Sequence, residues 1–153
     1  SFTIYFPAIQ SQDGVEEETA AAGTPSGRGE TILVVDDEQA VLEITREILE
    51  MGGYTVLAAR NGADALSQFV AAREGSIRLV LSDVNMPGMD GPTVVETIKK
   101  LDPSVRAIIV SGLISDWEPV NKTGLHIEGY LMKPYTSERL LAMIHETLTR
   151  GSV

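Results

Sequence analysis

The chain has 153 residues, 43% of them hydrophobic, and a formal net charge of −10 from 12 basic and 22 acidic side chains. That is enough apolar material for one domain with a buried core plus extra segments, and the charge excludes a nonspecific nucleic-acid or anionic-membrane surface built on clustered Lys and Arg. The absence of cysteine excludes disulfides, thiolate metal sites and a cysteine nucleophile.

Phe2, Ile4 and Phe6 alternate with Thr3 and Tyr5 up to Pro7, a short strand pattern over residues 1–10. Residues 11–29 are rich in Glu, Ala, Gly, Ser and Thr and read as a flexible acidic linker. The first residues lack a basic region followed by an apolar stretch, and no apolar run approaches the ~20 residues needed to span a bilayer. The chain as given is therefore expected to be soluble and cytoplasmic without direct membrane contact, while a membrane-anchored parent protein stays open.

From residue 30 to residue 150 a strand-then-helix pattern repeats. Strands are expected at about 31–35, 54–58, 78–82, 105–110 and 128–132, as continuous apolar runs of the kind buried on both faces of a parallel sheet. Helical stripes are marked by Val41, Ile44 and Ile48 flanked by Leu42 and Leu49, then Ala65, Leu66 and Phe69, then Val94, Val95 and Ile98, and finally Leu141, Ile144 and Leu148. Gly52-Gly53 ends the first helix, and Pro92 sits near the start of the third. The fourth helix is expected to be short or irregular, because Ser115 or Asp116 caps a stretch that holds Pro119 and stops by Gly124. This alternation predicts an α/β fold with right-handed crossovers, a parallel sheet and helices on both faces.

Ligands of such sheets bind outside the carboxyl ends of the strands. There the sequence places Asp36-Asp37, Asp83, Ser111-Gly112 and Lys133-Pro134. Two carboxylates ~4 Å apart repel by about 4 kcal/mol at an effective dielectric of ~20, so converging acids need cations. Lys133 supplies one charge, and a hard divalent ion such as Mg²⁺ suits an all-oxygen donor set better than zinc does. A carboxylate beside Mg²⁺, an ammonium and a hydroxyl is equipped for phosphoryl transfer, where the work is mostly positioning and charge neutralisation.

The motifs Val34-Val35-Asp36-Asp37-Glu38, Asp83-Val84-Asn85-Met86-Pro87-Gly88-Met89-Asp90-Gly91, Ser111-Gly112 and Lys133-Pro134-Tyr135, in this order, resemble the receiver domain of two-component response regulators over residues 30–150. The resemblance implies a flavodoxin-like, doubly wound five-stranded sheet of order 2-1-3-4-5. It makes Asp83 the phosphoacceptor, taking its phosphoryl group from a phosphohistidine. Mg²⁺ is then held by Asp37, Asp83 and the main-chain carbonyl of Asn85 directly, and by Asp36 through water. Ser111 becomes the switch hydroxyl, Lys133 the phosphate-binding lysine and Tyr130 the aromatic that swings inward with it. The bond before Pro134 is implied to be cis. Leu113 departs from the polar residue many relatives carry there.

Residues 1–8 resemble, more faintly, the closing strand of a histidine-kinase ATP-binding domain. The implied parent is a hybrid sensor histidine kinase with this receiver at its carboxyl end. Partners would be that kinase's own histidine and a histidine-phosphotransfer protein, with no DNA-binding output domain after Val153. The fragment itself would accept a phosphoryl group rather than turn over as an enzyme.

Plainer readings stand beside these. Asp36 and Asp37 can cap the first helix, Tyr130 can be core, and Trp117 can pack or anchor a partner. His126 and His145 read as surface or packing residues, and Gly27-Arg28-Gly29 precedes a strand, which excludes a nucleotide loop. A Mg²⁺-dependent phosphohydrolase would want a second acid where Asn85 stands, and a pseudo-receiver would lack one of the acids or Lys133.

Overall fold

A computed structural model describes residues 27–73, 75–112 and 126–149. The expected closing strand at residues 1–10, most of the linker, Leu113, Trp117 and the fourth helix with Ser115, Asp116, Pro119 and Gly124 lie outside the described residues.

Five strands form one sheet: β1 (Thr31–Val35), β2 (Thr55–Ala59), β3 (Ile77–Asp83), β4 (Arg106–Ser111) and β5 (Gly129–Met132). The order is β2-β1-β3-β4-β5 and every pairing is parallel, as the resemblance implies. Among the described residues the helices are α1 (Gln39–Met51), α2 (Gly62–Ala71), α3 (Gly91–Leu101) and α4 (Ser137–Thr149).

Side-chain alternation along the strands divides the core into two halves. Ile32, Val34, Leu79, Leu81, Ile108 and Leu131 face α1 and α4, meeting Leu42, Leu49, Leu140 and Ile144. Leu33, Val35, Val80, Ala107 and Ile109 face α2 and α3, meeting Ala65, Val94, Val95 and Ile98. Burial on both faces explains why the strands read as unbroken apolar runs.

The helix starts follow from local chemistry. Asn61 accepts from the Asp64 main-chain N–H at 2.7 Å, and Asp90 accepts from that of Thr93 at 2.9 Å, each satisfying a donor that the first turn leaves orphaned. The capping reading for Asp36 and Asp37 needs correction. The N-cap of α1 is Glu38, without a side-chain cap bond, and Asp36 instead accepts from the Glu38 main-chain N–H at 2.9 Å. A second correction concerns the stripe of α1. Leu42, Thr45 and Leu49 are buried, whereas Ile44 is 58% exposed and Val41 and Ile48 are only half-buried. The buried set keeps helical spacing, so the apolar residues on α1 exceed what one face can bury.

The end of the predicted linker is seated on the domain. The main-chain N–H of Gly27 donates to Gly52 O at 2.6 Å and that of Gly29 to Gly53 O at 2.8 Å. Gly53 has φ +95° and a Cβ there would meet the Gly27 backbone, so the turn that ends α1 requires glycine.

Candidate functional site

Four strand ends build the site. Asp36 follows β1 directly, and Val35 pairs with Ser82, so Asp36 and Asp83 come out side by side at the carboxyl edge. Val110 pairs with Asp83 and Ser111 with Met132, which brings Ser111 and Lys133 to the same edge. The Lys133 main-chain N–H donates to Ser111 O at 2.8 Å, and the Lys133-Pro134 bond is cis.

Asp36, Asp37 and Asp83 each offer a carboxylate oxygen, all within 4.8 Å of one another. Asp36 is 4% exposed, Asp83 half-buried and Asp37 exposed. Lys133 Nζ lies 3.1 Å from Asp36 Oδ2, 3.5 Å from Asp83 Oδ2 and 4.0 Å from Glu38 Oε1. Asp36, Asp83 and Glu38 thus share one ammonium. Burial raises the Asp83 carboxyl above the ordinary carboxylate range; Lys133 opposes that, while Asp36 and Asp37 add to it. For Lys133, burial works against the charged form, but Asp36 and Asp83 outweigh it and the ammonium is held above its ordinary range.

The donor set fits a hard divalent cation. Mg²⁺ takes oxygens at about 2.1 Å, so ligands on opposite sides stand roughly 4.2 Å apart, and the 4.8 Å span requires little closure. The acids outnumber the lysine, and a dication removes the excess.

The backbone of Asp83 is held by its surroundings. Val84 N–H donates to Val110 O, and Gly91 N–H donates to Val84 O, both at 2.9 Å. A Cβ on Gly91 would collide with the Asp83 carbonyl. Asn85 lies exposed in the loop that follows. Ser111 is fully buried, and alternation along the strands puts it and Tyr130 on the α2/α3 side. Tyr130 is half-buried against that core, which raises its hydroxyl above the ordinary range.

Other singled-out residues stand apart. His126 is exposed, 3.4 Å from Glu128 before β5, and His145 is exposed on α4. Thr45 was missed in the sequence, and Glu38 and Gly91 stood within the quoted motifs without a role of their own. Thr45 accepts or donates at 2.9 Å to the Tyr135 hydroxyl, tying α1 to the loop that carries Lys133. Its spacing from Leu42 and Leu49 fits one helix face, but Val41, Ile44 and Ile48 fit another equally well.

Residues 32–145 match the Response regulator receiver domain family. The chain is 31% identical over 157 residues to the sensor kinase CckA of Brucella abortus, covering 98% of this chain and 16% of the kinase. It is 33% identical over 118 residues to the chemotaxis protein CheY of Bacillus subtilis, covering 76% of this chain and 96% of CheY. A response regulator receiver domain protein from Clostridium thermocellum superposes with a TM-score of 0.73 at 30% identity, covering 80% of this chain and 96% of that one. The chain spans only part of several curated relatives, the kinase among them. With its sheet order, acidic cluster and lysine in place, the chain belongs to the response regulator receiver domains of two-component signalling.

Proposed function

We propose that Asp83 accepts a phosphoryl group from a phosphohistidine, and one observation carries this reading. A single ammonium, Lys133 Nζ, meets carboxylates from two other strand ends inside a cluster of three acids. An oxygen of Asp83 forms a bond to phosphorus while the phosphorus–nitrogen bond of the donor breaks. The electron pair stays on the imidazole nitrogen, which takes up a proton. Lys133 and the Ser111 hydroxyl receive phosphoryl oxygens, and the product is an acyl phosphate. Asp37, Asp83 and the Asn85 carbonyl would hold Mg²⁺ directly, with Asp36 acting through water. When bound, that ion neutralises charge on the transferring oxygens. Engagement of Ser111 draws Tyr130 inward, which shifts a two-state equilibrium through the face formed by β4 and α4.

The donor meets the domain over the outer side of α1. Val41, Ile44 and Ile48 leave an apolar stripe beside Lys133 and Pro134, around a groove of about 280 Å³. A helix that carries the phosphohistidine and an apolar face would cover this stripe and reach the acids at its end.

The parent is a hybrid histidine kinase, with residues 1–10 the closing strand of its ATP-binding domain, 11–29 a linker and 30–150 the receiver. The similarity to CckA supports this, because it covers 98% of the chain and so extends beyond the family match at 32–145. The partners are then the kinase's own histidine and a histidine-phosphotransfer protein. An ATP-fed relay of this kind works on the cytoplasmic side. Among the described residues no helix is long and apolar enough to cross a membrane.

Intact-mass measurement after incubation with phosphoramidate tests the reading. One phosphoryl adduct is expected with Mg²⁺ and none with a chelator. Steady phosphate release without an adduct would point to hydrolysis instead.

A further inference from the structure

We propose that Thr45 and Tyr135 act as a positioning pair that sets where Lys133 presents its ammonium, an inference that rests on the phosphoryl-transfer reading above. Thr45 is 1% exposed, in the middle of α1, and its hydroxyl meets that of Tyr135 at 2.9 Å. The two residues stand 90 apart in sequence, and Tyr135 is two residues beyond Lys133. A buried hydroxyl without a partner is costly, so each of these groups holds the other in place.

Packing alone does not require this choice. Val in place of Thr45 and Phe in place of Tyr135 would keep nearly the same side-chain volume beside the core half under α1 and α4, against which Tyr135 packs. The hydroxyls add direction rather than burial. Lys133 itself is held at its main chain by Ser111 O and at its tip by Asp36. After β5 the chain runs through Lys133, Pro134 and Tyr135 and starts α4 at Ser137. The Thr45–Tyr135 hydrogen bond ties this connecting segment to the middle of α1. The same groove walls that carry Ile44 and Ile48 also carry Thr45 and Tyr135. Occupation of the outer stripe of α1 is therefore felt at the lysine through this bond.

The test follows adduct formation from acetyl phosphate with Mg²⁺ on the full chain. It compares the parent sequence with Tyr135→Phe, Thr45→Val, the double variant and Thr45→Ser. Each of the first two should lower the limiting rate constant by about two- to tenfold, the range of one hydrogen bond's net contribution. The half-saturating acetyl phosphate concentration and the final stoichiometry should stay unchanged. The double variant should be no slower than the slower single one, and Thr45→Ser should keep the parent rate. Unchanged rates in both single variants, effects that multiply in the double variant, or a loss confined to final stoichiometry would overturn the proposal. A crystal structure of Tyr135→Phe supplies a second arm independent of phosphorylation. Lys133 Nζ displaced from Asp36 upholds the pair even where the parent sequence forms no adduct, a result that would sink only the receiver chemistry. Lys133 unmoved overturns the pair.

Discussion

Lys133 Nζ lies 3.1 Å from Asp36 Oδ2, so the segment after β5 is tied to the segment after β1 across two intervening strands. The lysine is nearer to Asp36 than to Asp83, which stands 3.5 Å away. Removing the ammonium leaves a buried carboxylate uncompensated, which costs more than losing a surface pair. Lys133→Met should destabilise the metal-free protein by about 1–3 kcal/mol in urea unfolding. Mg²⁺ should restore part of that. The sign with pH follows from the raised folded-state value of Lys133. Its contribution is fully present below the ordinary lysine value and is lost as pH climbs through the folded one.

Divalent-ion binding should stabilise the fold, and most clearly near and above neutral pH. The Asp83 carboxyl is raised, first by burial. Between the ordinary carboxylate value and the raised one the native state holds more protons than the unfolded chain, so metal-free stability falls as pH rises through that window. A bound dication favours the ionised carboxyl and so offsets the fall. At Mg²⁺ about 100-fold above its dissociation constant the gain should be ~2.7 kcal/mol, or roughly 5–10 °C in Tm. Differential scanning fluorimetry with Mg²⁺ and with chelator checks this, and Asp83→Asn should show less gain on adding Mg²⁺.

Gly91→Ala sets two effects against each other. Alanine favours a helix over glycine by up to about 1 kcal/mol. The added Cβ, however, would collide with the Asp83 carbonyl, which is backbone and cannot rotate away. The collision should win, with a loss of about 1–3 kcal/mol. Because the displaced group is the acceptor's own main chain, Mg²⁺ affinity measured by calorimetry should weaken as well.

How far these features were legible varies with their physical origin. The sheet was readable because strands covered on both faces must be apolar throughout, as Leu79-Val80-Leu81 and Ile108-Ile109-Val110 are. The polar residues ending those strands were readable for the same reason, since each one breaks an apolar run. Helix α1 was harder. It offers apolar residues on more than one face, and periodicity alone cannot say that Thr45 is inside while Ile44 is outside. Nor can it reveal that Thr45 has a partner 90 residues away. The glycine contacts of Gly91 and Gly53 depend on close backbone approach, which leaves no pattern in composition.

Alkaline pH offers a check remote from the acids. Tyr54 is buried on the turn after α1, and burial together with the charge of Glu30 pushes its hydroxyl up to about 12. Between pH 10 and 12 the unfolded chain releases this proton and the native state keeps it, so stability must fall as pH rises. The loss should approach 2 kcal/mol in order of magnitude. Tyr54→Phe should flatten that slope in urea titrations at stepped pH.

The acceptor assignment is tested most directly by locating the acyl phosphate. After phosphorylation with Mg²⁺, borohydride reduces an aspartyl phosphate to homoserine, and peptide mass spectrometry reads the position. Homoserine at position 83 alone is the expected result. Homoserine at 36 or 37, or at no position despite an intact phosphoryl adduct, would contradict the account.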